Sequence, residues 1–528
     1  MERGYFKSVR LCMADVVGRQ YIQKVIAAQA WLTAGGASRL RRIATTPVDF
    51  FPATLERRLA RLLPQVGRKV CPAWTRPEPG ASSREFNLAV NAAVAPLAGL
   101  GYYRVGQNGR LYLLAKSEHY HALLGHAFPG YGLIERARLL GIPNATHNNT
   151  RGEITRILER ELIRLANGLE AHNDGALSKV MRAQRGAVNR VLNLETGSLA
   201  AEAALKMMLA RFYRVQAGGG KPVHAGKIPV LVVVGDDSGG PGGNYHGTCL
   251  VTQWLRGMWP DLVRRVTRAG IAEVVPVRPN NRADLERVFR RCNGGRRRIA
   301  GLCYEPVMMN YGACRLEPAF VRRMHSLCRR HGVPTFADEI QTGLWSPEML
   351  MFREYGVRPT FVALGKGFPG GEYPASRVLF SAEMDCLPQF GALVTNGQEE
   401  LASLAYLISV RWAEANRQAT RAVGRQYQGA LRDLAAAYPD LLLAVEGVGH
   451  MAGLRFRRLP AAKGFAERLN KGGVDISVQA YKADAPPVAL TKLPIIVGPE
   501  VVRFLVARMD EALRGLRRPG GPAARRCG

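Results

Sequence analysis

An acidic side chain and a lysine each follow a short apolar segment of this sequence. Residues 333–337 are followed by Asp338, and residues 361–364 are followed, one glycine later, by Lys366. If the two segments form neighbouring parallel strands, the carboxylate and the amine emerge at the carboxyl ends, where open α/β sheets bind ligands. Pyridoxal phosphate requires this pair of groups, because a lysine forms its Schiff base and an anion faces its pyridinium nitrogen. The spacing therefore predicts a site for that cofactor.

Each of these two residues also has an ordinary interpretation. Asp338 can cap a helix or lie at the surface where a strand ends, and Lys366 can be a turn residue between two glycines. Either interpretation is sufficient for one residue alone, whereas their joint placement favours the cofactor site.

A turn of small residues precedes a strongly helix-forming run. Thr196, Gly197 and Ser198 stand before residues 199–211, which are rich in alanine and leucine. Ser198 is predicted to cap this helix, and the free amides at the helix N-terminus, together with the helix dipole, favour binding of a phosphate. The alternative is that the turn is only a helix cap.

An aromatic residue beside a glycine-rich loop is a third candidate. Tyr245 and His246 follow residues 239–243, which contain four glycines. A tyrosine in this place can lie flat on a cofactor ring, or it can simply anchor the loop. His246 by itself indicates no particular function.

The elements that must position these residues alternate between apolar strands and amphipathic helices. This alternation predicts an α/β fold with a mostly parallel sheet built from βαβ units. The predicted strands cover residues 228–234, 299–304, 333–337, 361–364 and 375–380, and the predicted helices include 153–169, 317–330 and 500–513. The predicted domains are a basic helical N-terminal extension (1–85), the N-terminal segment of a small domain with a lead-in helix (86–190), a large cofactor-binding domain (191–400), the C-terminal small domain (401–513) and a disordered basic tail (514–528).

The composition limits the class of protein. At 528 residues, with 47% hydrophobic and 22% charged content, the chain is expected to form more than one globular domain. No apolar run is long enough for a membrane span, and nine scattered cysteines without a CxxC pair favour reduced thiols, a cytoplasmic location and no metal site. The net charge of +32 comes from cations spread along the chain without interleaved aromatic residues. A solvated surface is therefore expected rather than a specific nucleic-acid site.

Several blocks of the chain, in the right order, resemble the class III (subgroup II) pyridoxal phosphate-dependent aminotransferases of fold type I. This family includes the ornithine, 4-aminobutyrate and glutamate-1-semialdehyde enzymes. The resemblance extends from about residue 110 to residue 513. It is carried by GHAFP at 125–129, TGSLAAEAA at 196–204, YHG at 245–247, EPV at 305–307, ADEIQTG at 337–343, LGKG at 364–367, TNG at 395–397 and EGVGHMAG at 446–453.

The resemblance implies a large sheet domain with a smaller α+β domain from the N- and C-terminal parts, a homodimer with shared active sites, and a role for each matching residue. By that resemblance Gly197 and Ser198 would bind the phosphate, and Tyr245 would stack on the ring beside His246. Asp338 would pair with the ring nitrogen, Gln341 would reach the phenolic oxygen and Lys366 would carry the Schiff base. Glu305 would lie near the substrate, and Thr395 would complete a partner's site.

The chain also departs from the family pattern. Leu199 and Ala201 stand where the family usually has glutamate and asparagine, and residues 345–348 replace its usual GRTG. Residues 488–494 contain no arginine for a substrate carboxylate. Recognition of a simple α-amino acid in the usual way is therefore not expected.

The predicted activity is transfer of an amino group from a small-molecule amino donor to a keto acid or aldehyde, with Lys366 and Asp338 as the catalytic residues. Aminomutase, racemase and decarboxylase reactions need the same cofactor residues and remain alternatives. A non-catalytic polyanion-binding protein that keeps the fold is a further alternative, motivated by the net charge.

Overall fold

The computed structural model describes residues 4–78, 80–116, 122–145, 147–478 and 485–517. These residues divide into two compact units. One unit comprises residues 11–47 and 133–417, and the other comprises the described residues of 1–10, 48–132 and 418–528. The larger unit contains all the predicted site residues, and the smaller one is built from the N- and C-terminal parts of the chain. The domain limits given above remain a prediction.

A seven-stranded sheet forms the centre of the larger unit. Its neighbouring strands are parallel, except that one strand runs antiparallel to both of its neighbours. The order across the sheet is Val188–Leu194, Ser376–Ser381 (the antiparallel strand), Phe361–Leu364, Thr335–Asp338, Arg297–Tyr304, Ile228–Val234 and Glu273–Val277. The predicted mostly parallel α/β sheet is therefore confirmed.

Apolar sequence explains why the central strands are buried on both faces. Ile228–Val234 reads IPVLVVV and is buried from its second residue onward. Continuous apolar runs of this kind are typical of parallel strands covered by helices. The alanine-rich helix Gly197–Leu209 packs against the sheet with Ala200, Ala204 and Met208 fully buried, so the small residues allow a close approach of helix and sheet.

The other elements of the larger unit are helices and one short antiparallel strand pair, Val307–Met308 with Cys314–Arg315. Its α-helices are Met13–Val17, Arg19–Leu32, Ala37–Thr45, Gly132–Leu139, Glu153–Ala166, Asp174–Arg182, Gly197–Leu209, Leu250–Leu255, Pro260–Arg268, Arg282–Cys292, Pro318–His331, Met351–Glu354, Gln389–Ala392 and Glu400–Ala415.

The smaller unit contains two four-stranded sheets. The first has the order Leu442–Val448, Met451–Phe456, Val488–Lys492 and Ser477–Val478, and the second has the order Val474–Asp475, Leu111–Leu114, Tyr103–Gly106 and Pro96–Leu100. Its α-helices are Ala53–Leu62, Arg84–Ala89, Arg417–Ala437, Leu459–Lys471 and Pro499–Arg517. In the described part of the chain no helix combines the length and the apolar character needed to cross a membrane.

The last helix corrects the predicted start of the disordered tail. It continues to Arg517 because Arg514 pairs with Asp510 of the same helix and Arg517 pairs with Asp440, with 3.0 Å between Nε and Oδ2. The Arg517 guanidinium also lies 4.3 Å from the centre of the Tyr438 ring. The rest of the predicted tail, 518–528, lies outside the described residues.

Candidate active site

Three adjacent parallel strands bring the predicted catalytic groups to one edge of the main sheet. Arg297–Tyr304 is followed at once by Glu305, the next strand ends at Asp338, and Phe361–Leu364 is followed two residues later by Lys366. Register pairing aligns these strand ends with one another. Two carboxylates and an amine therefore emerge together at the carboxyl edge of the sheet, as the sequence predicts for Asp338 and Lys366.

Asp338 is held in a buried pair with His246. Its Oδ2 lies 2.9 Å from His246 Nδ1, and its Oδ1 accepts the amide of Ile340 at 3.1 Å. Asp338 is 4% exposed and the His246 side chain is fully buried. An ionised carboxylate can only accept, so Nδ1–H of His246 is the donor of this hydrogen bond when Asp338 carries its charge. His246, which indicates nothing by itself in the sequence, thus orients Asp338.

One nitrogen of His246 has no such bond. Its Nε2 is buried and makes no hydrogen bond to any residue that the structure describes. The edge of the Phe336 ring packs against the imidazole, with 5.6 Å between the ring centres. Buried polar atoms are normally satisfied, so this orphaned nitrogen is the kind of group that a bound polar ligand or water completes.

Glu305 fixes the loop that carries Tyr245. Its Oε1 accepts the backbone amide of Tyr245 at 2.7 Å, and the residue is 3% exposed. Burial raises the pKa of the Glu305 carboxyl above its usual range, while the charges of His246 and Lys366 act against that shift. Glu305 is therefore part of the same electrostatic cluster and also a brace for the loop.

Arg256 is a neighbour of Tyr245 that the sequence does not reveal. Its guanidinium carbon lies 4.9 Å from the centre of the Tyr245 ring, close enough for a cation–π contact. The helix Leu250–Leu255 separates the two residues in the chain, so no local pattern signals the contact. One face of the ring is covered by this contact, and a further planar group can stack only on the opposite face.

The small-residue turn is joined to the tyrosine loop. Thr196 caps the helix Gly197–Leu209, and its Oγ1 accepts the Leu199 amide at 3.5 Å. The prediction that Ser198 is the cap is therefore wrong. Ser198 lies inside the first turn, where its Oγ accepts the Thr248 amide at 3.0 Å. Thr248 stands two residues after His246 in the sequence, and no local pattern predicts its bond to Ser198.

Lys366 has an unusual backbone conformation. It is half-buried and has φ +43°, in the left-handed region that few residues other than glycine adopt. This conformation costs about 1–2 kcal/mol for a residue with a Cβ atom. The end of the preceding strand is held by Ser376, whose Oγ donates to the Leu364 carbonyl at 2.7 Å. Strain of this kind is concentrated at functional sites.

The two remaining predicted residues are placed differently. Gln341 is 8% exposed and lies in the turn directly after Asp338. Thr395 is exposed, three residues beyond the helix Gln389–Ala392. Within the described ranges no hydrogen bond or ion pair joins Thr395 to the cluster above.

Comparison with known proteins agrees with this geometry. The family profile described as Aminotransferase class-III matches residues 157–483, more than half of the chain. The chain is 27% identical over 223 residues to 5-aminovalerate aminotransferase DavT of Pseudomonas putida. This alignment covers 40% of the chain and 52% of that protein. It is 30% identical over 169 residues to the mitochondrial ornithine aminotransferase of Oryza sativa subsp. japonica. This alignment covers 31% of the chain and 35% of that protein.

A solved structure of similar fold is the ornithine aminotransferase of Toxoplasma gondii with partial occupancy of PLP at its active site. The TM-score is 0.63 at 19% identity, and the match covers 82% of this chain and 93% of that one. At that identity the likeness shows the fold alone, which is that of the fold type I aminotransferases. The matches to the curated relatives span about half of their length or less.

The chain belongs to the class III aminotransferase family. Pyridoxal phosphate is the cofactor of this family, and the residues at the sheet edge fit it. A buried, oriented carboxylate can face the ring nitrogen, a lysine follows the paired neighbouring strand, and the amides of Gly197 and Ser198 at the helix N-terminus can take the phosphate. A Cβ atom on Gly247 would lie 2.6 Å from Ser198 Cα, so only glycine leaves the tyrosine loop this close to the turn.

Gly247→Ala is expected to weaken cofactor binding. Gly247 has φ +131°, and the added methyl group meets the backbone of Ser198, which cannot move aside as a side-chain tip can. We expect the variant loop to carry about 1–3 kcal/mol of strain, so the Kd for the cofactor should rise about tenfold or more. Titration of the purified apoprotein with the cofactor measures this Kd. Gly175→Ala, in open space within the helix Asp174–Arg182, is the matched control and should leave the Kd unchanged. Equal Kd values for both variants would contradict the role of Gly247.

Glu339→Gln is expected to change how stability depends on pH. Glu339 is fully buried, its Oε1 accepts the Phe352 amide at 2.7 Å, and burial raises its pKa to about 7. Because the folded-state pKa exceeds the unfolded value, the protonated carboxyl stabilises the fold below about pH 4.5, and this contribution is lost as the pH rises through 7.

The measurement for Glu339 is denaturant unfolding at several pH values. Between pH 5 and pH 8 the free energy of unfolding of the natural protein should fall by about 2.5 kcal/mol relative to the variant. Parallel curves for the two proteins would contradict the raised pKa.

Proposed function

We propose that this chain is a pyridoxal phosphate-dependent aminotransferase that moves an amino group from a small-molecule amino donor to a keto acid or aldehyde. The observation that carries the proposal is the placement of Asp338 and Lys366 at the ends of two paired parallel strands, within one buried polar cluster. Family membership supports the same class of reaction.

Pyridoxal phosphate, when bound, supplies an aldehyde for the amine and a ring that withdraws electrons from the reacting carbon. The Asp338 carboxylate would face the ring nitrogen of the bound cofactor, and His246 holds this side chain in position. The Nζ of Lys366 would bind the cofactor aldehyde and, once freed by an amino donor, would accept the proton of the donor's Cα and deliver it to the cofactor carbon that carried the aldehyde. In this proposal, catalysis depends on the carboxylate of Asp338 and the amine of Lys366.

The other residues bind and orient. The first-turn amides at Gly197 and Ser198 take the phosphate, with Thr248 holding the Ser198 hydroxyl. Tyr245 would stack on the cofactor ring with the face that Arg256 does not cover. Gln341 would contact the phenolic oxygen, and Glu305, which braces the Tyr245 backbone, would lie beside the substrate.

The assembly we propose is a homodimer in the cytoplasm. Thr395 is exposed in the single chain, which is consistent with a residue that completes the partner's phosphate site. A sedimentation measurement of the purified protein tests the dimer, and a monomeric protein with full activity would contradict it.

The reaction class is tested by a half-reaction with the purified protein and an amino donor, without acceptor. The panel begins with 5-aminovalerate and ornithine, the compounds in the names of two similar proteins. We expect the visible absorbance of the lysine-bound cofactor to disappear, with one carbonyl product per subunit and recovery when a keto acid is added. Release of carbon dioxide, or a racemised or rearranged amine without carbonyl product, would support the alternative reactions instead.

A further inference from the structure

One edge of the larger unit carries a set of exposed arginines that no carboxylate neutralises. They lie at the ends of the helices Arg282–Cys292 and Pro318–His331 and just before the strand Arg297–Tyr304. We call them the arginine surface. Its members are Arg290, Arg291, Arg296, Arg329 and Arg330, all exposed. In the part of the chain that the structure describes, none of them forms an ion pair.

Direct contacts hold the elements of the arginine surface together. Arg323 of one helix pairs with Glu286 of the other at 2.6 Å, and the rings of Phe289 and His331 lie 5.6 Å apart. Arg298 donates from Nη2 to the His331 carbonyl at 2.6 Å. Phe289 and His331 are chain neighbours of Arg290 and Arg330, and the other contacts join the same two helices and the strand, so the five arginines belong to one packed region.

The local charge balance explains why these arginines lack partners. Residues 256–331 contain 17 arginines, no lysine and six acidic residues. The net charge of this segment is therefore +11, out of +32 for the whole chain. Four of the six acids already pair with other arginines, and Glu305 is buried in the active site. An arginine near a helix C-terminus is favoured by the helix dipole, which accounts for one or two such residues. Five exposed and unneutralised arginines together exceed that requirement.

The position of this surface separates it from the catalytic groups. The helix ends and the strand start lie at the amino edge of the parallel sheet, whereas Lys366 and Asp338 lie at the carboxyl edge. A ligand on the arginine surface therefore does not compete with the cofactor. The inference is independent of the proposed aminotransferase activity.

We propose that the arginine surface binds the phosphate backbone of a nucleic acid without sequence preference. The planar guanidinium group matches phosphate oxygens in a bidentate manner and stays charged. The large apolar side chains exposed between residues 256 and 331 are Met258, Trp259 and Ile271, and none of them lies on the two helices or the strand start that carry the five arginines. This disfavours a membrane surface, because peripheral helices insert such side chains. The absence of exposed aromatic residues there indicates contacts to the backbone and not to bases.

The test compares two variants of equal charge change in the full-length protein. One replaces Arg290, Arg291, Arg329 and Arg330 by glutamine, and the control replaces Arg19, Arg39, Arg41 and Arg42, which are exposed elsewhere in the same unit. Fluorescence anisotropy measures binding of a labelled single-stranded DNA, the same sequence as RNA, a DNA duplex and phosphatidylserine vesicles over a range of salt concentrations. Thermal melting confirms that both variants fold.

We expect the natural protein to bind the oligonucleotides with a steep salt dependence. The first variant should lose affinity about 100-fold or more at moderate salt, and its log–log salt slope should fall by about three to four, whereas the control should change less than about fivefold. Equal losses in the two variants would overturn the proposal, since they would reflect net charge alone. No binding at low salt, or binding to vesicles without binding to oligonucleotides, would also overturn it.

Discussion

Lys366→Ala is expected to lower kcat/KM for amino transfer by about 1,000-fold or more. The variant removes both the amine that binds the cofactor and the group that transfers the proton, and proton transfer alone contributes about 100- to 10,000-fold. The half-buried lysine stands between two glycines in a strained backbone conformation. Steady-state kinetics with the best donor of the panel measures the effect.

The control for this prediction is Lys206→Ala, which removes a lysine whose Nζ donates to the Gly391 carbonyl. Its kcat/KM should stay within a few-fold of the natural protein. Should Lys366→Ala keep more than a tenth of the activity, the proposed role of Lys366 would be wrong.

Asp338→Asn is expected to lower kcat by about 100- to 1,000-fold while the fold remains intact. Asparagine keeps the shape of the side chain and can still accept the Ile340 amide, but it removes the negative charge at the proposed position of the ring nitrogen. Loss of a charge-assisted hydrogen bond in a buried site is worth about 1.5–3 kcal/mol, and the loss of electron withdrawal by the ring adds to it. Kinetics and a pH titration of the cofactor absorbance measure the change.

Glu339→Gln is the matched control for Asp338→Asn, because it neutralises the next carboxyl in the chain without changing the Asp338–His246 pair. We expect activity within about fivefold of the natural protein near pH 7. Similar losses in both variants would mean that the turn, and not the charge of Asp338, limits the reaction.

The central part of the fold was predictable from the sequence because its strands are continuous apolar runs. Ile228–Val234 and Phe361–Leu364 have the predicted bounds. Val188–Leu194 and Glu273–Val277 were not predicted as strands. The first mixes polar and apolar residues without regular alternation, and the second is an edge strand with a proline. The short strands of the smaller unit were missed for a similar reason, because two to five residues give little periodicity.

The candidate site divides in the same way. The position of Asp338 and Lys366 at the carboxyl edge of the sheet was predictable, because each residue follows an apolar strand. Their proximity depends only on the order of the strands in the sheet. The contacts of His246 with Asp338, of Thr248 with Ser198 and of Arg256 with Tyr245 join distant parts of the chain or cross a loop. Such contacts depend on loop conformations that no local pattern specifies. The helix cap has a different explanation, because Thr196 and Ser198 both precede the helix-forming run and the sequence does not specify which of them is the last non-helical residue.

The central claim is that Lys366 carries the cofactor, and borohydride reduction followed by peptide mass spectrometry tests it most directly. Reduction fixes the bound cofactor to the amine that holds it, and digestion then locates the added mass. The account predicts one pyridoxyl phosphate group per chain, on Lys366, and none in Lys366→Ala. Label on another lysine of the natural protein, or no label after incubation with excess cofactor, would contradict it.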